Sequence, residues 1–128
     1  MKNHKFSLSI LPGKFAVCLL EKNDAVPSWA LKSFFYSISK TNDELSIVCL
    51  EKSVPQGIKF DGNWKAIKVE GKLDFSLTGI LASLINPLAE EKISIFAVST
   101  FNTDYILVKS NNLQKAKRIL KKFCDIKY

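Results

Sequence analysis

The chain has 128 residues, 47% hydrophobic and 24% charged, with three cysteines, one histidine and a formal net charge of +7. Those proportions exclude a disordered, collagen-like or disulfide-framework protein, and the length suits one domain, or two very small ones, around a hydrophobic core. No apolar run approaches the roughly 20 residues needed to span a bilayer.

In chain order, the first predicted element is a strand in which Phe6, Leu8 and Ile10 alternate with polar residues. Pro12-Gly13 ends it in a turn, which also cuts short a faint likeness to a secretory signal. Residues 15–20 are apolar on both faces and read as a central strand, and a short helix is expected within residues 24–33. Residues 34–39 and 45–50 flank the polar tip 41–44 as a hairpin. Residues 51–63, with Pro55, Gly57 and Gly62, mark the boundary between two halves.

Beyond it, residues 65–70 alternate, with Ile67 and Val69 on one face and Lys68 and Glu70 on the other. Ile80, Leu81, Leu84, Ile85 and Leu88 then recur at helical spacing, which predicts a helix over about residues 76–92 with Pro87 kinking or tightening it. Residues 93–100 and 105–109 read as strands joined by the turn 102–104. A helix carrying Leu113, Ala116, Ile119, Leu120 and Phe123 on its apolar side follows, with Ser110, Asn111 or Asn112 as its cap. The order from Trp64 is strand, helix, strand, strand, helix. That is most of a split βαβ arrangement, so the fold class is α+β, ferredoxin-like βαββαβ with antiparallel sheets and helices on one face. Only residues 125–128 remain for the sixth element, too few for a secure strand. The missing edge is expected from the first half or from another copy of the chain.

The charge is local. Residues 109–128 hold seven basic side chains and one acid, whereas residues 1–108 hold twelve and eleven. Lys115, Lys117, Arg118, Lys121 and Lys122 read as a solvated helix face whose cations suit the C-terminal dipole, with phosphate tracking as the alternative. One arginine and no interleaved aromatic make nucleic acid the weaker partner class.

Catalytic constellations are mostly absent, which leaves a minor catalytic role as the weakest of the rival readings. His4 stands alone near the terminus, and no HExxH, GxGxxG or Walker A pattern occurs. Cys18, Cys49 and Cys124 lack metal-ligand spacing and read as buried thiols of a reducing cytoplasm, so neither a metal nor a cofactor is expected. Two polar segments remain. Residues 71–80 join the clearest strand to the clearest helix and hold Asp74, Phe75, Ser76, Thr78, Gly79 and Ile80. There Asp74 and the open N–H groups of a helix start suit a zwitterion, or else Asp74 or Ser76 only caps the helix and Gly79 eases packing. Ser99, Thr100, Phe101, Asn102 and Asp104 gather hydroxyls and a carboxylate at a strand end, where they bind a cation or only close a β-turn. A ferredoxin-like order brings both segments into one neighbourhood.

With LPGKFAV at residues 11–17, TNDELSIVC at 41–49 and WKAIKVEGKLDFSLTGILASLINPLAEEKISIFAVSTFNTDYILVK at 64–109, the chain resembles the ACT-domain family. More closely it is similar to short tandem-ACT bacterial proteins that look like the regulatory part of aspartate kinase, and to the CASTOR arginine sensors of animals. The resemblance implies a degenerate N-terminal ACT-like half at residues 1–62 and an ACT domain at 63–128. It implies a non-catalytic cytoplasmic regulator, a homodimer that binds an amino acid or similar metabolite at an interface between ACT modules. The family's Asp-x-Pro-Gly-hydrophobic loop corresponds loosely to Asp74 and Thr78-Gly79-Ile80, with a longer spacing from Asp74 and Thr78 in place of the proline, and Asp104 becomes a partner for a ligand cation. A ligand-independent module that regulates a partner enzyme is the alternative.

Overall fold

The computed structural model describes residues 6–70 and 79–127. In chain order its elements are β1 (Phe6–Ile10), β2 (Phe15–Leu20), a 3-10 turn (Ser28–Lys32), β3 (Ser37–Lys40), β4 (Leu45–Leu50), a 3-10 turn (Glu51–Ser53) and β5 (Lys59–Val69). Then follow α1 (Ile80–Glu90), β6 (Ile95–Ser99), β7 (Asp104–Lys109), a 3-10 turn (Ser110–Asn112), α2 (Leu113–Leu120) and β8 (Cys124–Lys127). Gly13–Trp64 makes one compact unit, and the described residues before and after it make the other. No helix among the described residues is long and apolar enough to cross a membrane.

Within Gly13–Trp64 the strands pair in the order β3-β4-β2-β5, all antiparallel. This is the strand order of a split βαβ unit, with 3-10 turns where helices would stand. Ala16 and Cys18 of β2 and Leu45, Ile47 and Cys49 of β4 share one buried face, which Ala30 covers from the first 3-10 turn. The expected strand over residues 34–39 starts only at Ser37. Phe34 and Phe35 instead pack edge-on against Phe15, at 5.9 and 5.7 Å between ring centroids, and the buried Ser33 hydroxyl accepts the Leu50 N–H at 2.9 Å.

The strand expected from residue 65 begins six residues earlier, at Lys59. Gly62 and Asn63 form a bulge, because Phe15 pairs with Trp64 but Val17 with Asp61, so two residues stand opposite Ala16. Glu51 Oε1 accepts the Asn63 N–H at 2.7 Å, and a Cβ on residue 62 would crowd that oxygen. Gly62 is therefore a close-approach residue inside a strand rather than part of a linker.

In the other unit the order is β6-β7-β5-β1-β8. β1 runs antiparallel to β5 (Leu8 opposite Val69) and parallel to β8 (Phe6 opposite Cys124, Ser9 opposite Lys127). The edge left open in the sequence reading is thus filled twice: residues 124–127 do form a strand, and β1 is inserted between it and β5. Leu8, Ile67, Val69, Ile106, Val108 and Cys124 point to one face, where Leu84 and Leu88 of α1 and Ala116 and Leu120 of α2 cover them. Each such leucine, fully buried, stabilises by about 1.5–3 kcal/mol. α1 continues through Pro87 and ends at Glu90, with Lys92 in the left-handed region at φ 60°. Asn112 is the N-cap of α2 but its side chain makes no capping bond; the preceding 3-10 turn closes the start through the Leu113 N–H and the Ser110 carbonyl. Two helices on one face of an antiparallel-dominated sheet make the fold α+β and ferredoxin-like.

Candidate functional site

β6 and β7 are joined where Ser99 pairs with Asp104. The Ser99 hydroxyl donates to Asp104 Oδ1 at 2.6 Å. Between them Thr100 closes the turn: its N–H donates to the Thr103 carbonyl at 2.8 Å and its Oγ1 accepts the Thr103 N–H at 3.3 Å. Phe101, 78% exposed, and Asn102 stand out at the tip.

Thr103, absent from the predicted set, is the anchor. It is buried, and its hydroxyl donates to the Val69 carbonyl at 2.6 Å. Val69 is the last residue of β5, so the β6–β7 turn is fastened to the place where β5 hands over to residues 71–78. A threonine between two polar turn residues carries no sequence signal that separates such an anchor from an ordinary turn residue.

Asp74, Phe75, Ser76 and Thr78 lie outside the described residues, as does any cap they supply to α1. Gly79 is the N-cap at φ +79°, and a Cβ built on it meets nothing within 4 Å. Its glycine is required by the left-handed backbone and not by a close neighbour. Ile80, the first residue of α1, is buried in the core side of the helix. The structure therefore joins Ser99 with Asp104 and Thr100 with Thr103, and sets Gly79 and Ile80 at the start of a helix in the same unit.

Chemically, Asp104 is a half-buried carboxylate with one oxygen taken by Ser99 and, among the described residues, no hydrogen-bond partner on the other. Such a group accepts a bond from an ammonium or guanidinium. A second polar cluster is formed by Ser9, Lys68, Glu70 and Lys127. The Ser9 hydroxyl donates to Glu70 Oε2, and Lys68 Nζ lies 3.6 Å from Oε1. The Ser9 bond first, and the Lys68 charge after it, hold the Glu70 carboxyl below the usual carboxylate range. The three cysteines are free and buried. A hydrogen bond to Cys49, together with burial, raises the Cys18 thiol, and burial beside Asp125 pushes Cys124 up to about 11. Buried protonated thiols of this kind are poor nucleophiles. Among the described residues no cluster of three or more His, Cys, Asp or Glu side chains stands ready for a metal ion.

A family model of the ACT domain matches residues 59–122, half of the chain. The chain belongs to the ACT-domain family. A second family model, of an N-terminal domain, matches residues 13–57. The crystal structure of protein Atu0741 from Agobacterium tumefaciens is 40% identical, with a TM-score of 0.92 over 98% of this chain and 94% of that one. The regulatory subunit of aspartate kinase from Thermus flavus shares the fold at 9% identity, with a TM-score of 0.66 over 94% of this chain and 98% of that one. The cytosolic arginine sensor for mTORC1 subunit 1 of Homo sapiens is 28% identical over 96 residues, 69% of this chain and 29% of that protein. The chain spans between about a quarter and about half of the length of the animal relatives it matches. The ACT module, with the strand-helix-strand-strand-helix-strand order from β5 to β8, thus contains the β6–β7 turn.

Proposed function

We propose that this ACT-domain protein is a non-catalytic cytoplasmic regulator that binds an amino acid, or a metabolite of that chemistry, between the β6–β7 turn and the loop that opens α1. The observation that carries this reading is the bond from Thr103 to the Val69 carbonyl, which fastens the polar turn to the end of β5 from which that loop departs. In this reading Asp104 takes the ligand's ammonium or guanidinium, with Asp74 as a second carboxylate. The N–H groups at the start of α1, where no side-chain cap is made among the described residues, take its carboxylate. Similarity to a protein named as an arginine sensor supports a zwitterionic ligand.

The same reading makes the protein a homodimer. A strand at the edge of a sheet is ordinarily protected by charge or proline. β3 carries Lys40 and β8 carries Asp125 and Lys127, whereas β6 reads Ile-Phe-Ala-Val-Ser. Among the described residues β6 pairs with no strand other than β7, and a second copy added along its other side would stand beside Ser99. A ligand that fits only the paired arrangement shifts the population toward it, and that is the regulatory event.

Thermal unfolding in the presence of each proteinogenic amino acid tests the ligand. A true ligand at a hundred times its dissociation constant adds about 2.7 kcal/mol to the stability of the folded state and raises the midpoint. Asp104→Ala, at a half-buried surface position, should fold normally and lose that shift. A midpoint that no amino acid moves would count against the reading.

A further inference from the structure

α2 presents opposite chemistries on its two sides. Leu113, Ala116, Ile119, Leu120 and Phe123 enter the core, so Gln114, Lys117, Arg118, Lys121 and Lys122 fall on the other side at spacings of three and four residues. Gln114, Arg118, Lys121 and Lys122 are exposed, and no side chain among the described residues pairs with Arg118 or Lys122. The 20 residues from Lys109 onward carry seven bases and one acid, in a chain whose other 108 are nearly balanced. A helix C-terminus is served by one or two cations in its last turn, and Lys117 and Arg118 already stand there.

We infer that the outward face of α2 is a docking surface for a partner protein that presents an acidic patch. A second copy of this chain is a poor occupant, because α2 against α2 sets like charges together. A nucleic acid is also poorly served. The eight-residue helix is only about 12 Å long, and no aromatic stands among its exposed residues to stack on a base. Anionic headgroups attract a basic face, but this one adds no apolar side chain that would insert between lipids and hold it there, so a membrane is the weaker occupant. A compact acidic patch on a protein matches both the size and the sign.

The experiment is fluorescence anisotropy of a labelled, glutamate-rich peptide with the full chain at low and at physiological salt. A DNA strand of equal charge and vesicles containing phosphatidylserine serve as competitors. Two doubly substituted chains are compared: Arg118→Glu with Lys122→Glu on α2, and Lys32→Glu with Lys59→Glu, exposed positions of the other unit that change net charge equally. Docking at α2 predicts peptide binding that salt weakens and that the α2 pair reduces about tenfold or more, while the pair in the other unit changes it less than about twofold. Equal losses in both chains would reduce the effect to net charge and overturn the inference. So would no binding at low salt, or DNA or vesicles displacing the peptide at lower charge concentration than unlabelled peptide does. Amino-acid binding plays no part in the readout, so the two proposals fail separately.

Discussion

Replacing Thr103 with valine keeps the outline of the side chain and deletes its one donor. The Val69 carbonyl is then left buried without the 2.6 Å bond it now accepts. The cost of such an orphaned group is about 1–3 kcal/mol, and Thr103→Ser, which restores the donor, should recover most of it; urea unfolding of the two variants checks both values. Cys124 supplies a pH dependence. Its thiol is raised by burial to about 11 in the folded chain and is ordinary in the unfolded one. Below the ordinary thiol range both states hold the proton and stability is undiminished. Between that range and about 11 only the unfolded chain releases it, so stability falls as pH rises. Urea midpoints measured from neutral to alkaline pH should decline less steeply in Cys124→Ala than in the natural chain.

At the scale of elements, β6 makes the sharpest prediction. Ala97 is exposed on this uncharged edge strand, and Ala97→Lys adds the kind of charge that protects β3 and β8. Light scattering should show the proposed dimer giving way to monomer in this variant, with far-ultraviolet dichroism unchanged; an assembly that persists at all concentrations would exclude β6 as the contact. The elements themselves were legible wherever one period dominated: alternation at Phe6, Leu8 and Ile10, and the helical stripe from Ile80 to Leu88. Legibility failed where a tertiary partner decided the outcome. Cys124 and Ile126 alternate with Asp125 and Lys127, but four residues become a strand only because β1 lies beside them. Gly62 read as a linker signal because the Glu51 carboxylate that closes on it comes from eleven positions away. Asn112 looked like a cap, yet a 3-10 turn took over the work of its side chain. In the candidate site, the polar turn at Ser99–Asp104 was readable from its residue types. Its anchor Thr103 was not, since the acceptor is 34 residues distant.

For the whole molecule, regulation asks for two separable surfaces: one that senses and one that transmits. The uncharged edge, the carboxylate at Asp104 and the cationic side of α2 lie on different elements of the ACT module, which lets the acidic partner be tested apart from the linked binding of ligand and second copy. Isothermal titration calorimetry of the full chain with each proteinogenic amino acid is the most direct test of sensing. An amino-acid-binding ACT protein gives saturable heat with at least one of them, weakened about tenfold or more by Asp104→Ala and unaffected by the α2 substitutions. No heat with any amino acid at millimolar concentration, or equal affinity in Asp104→Ala, would contradict it.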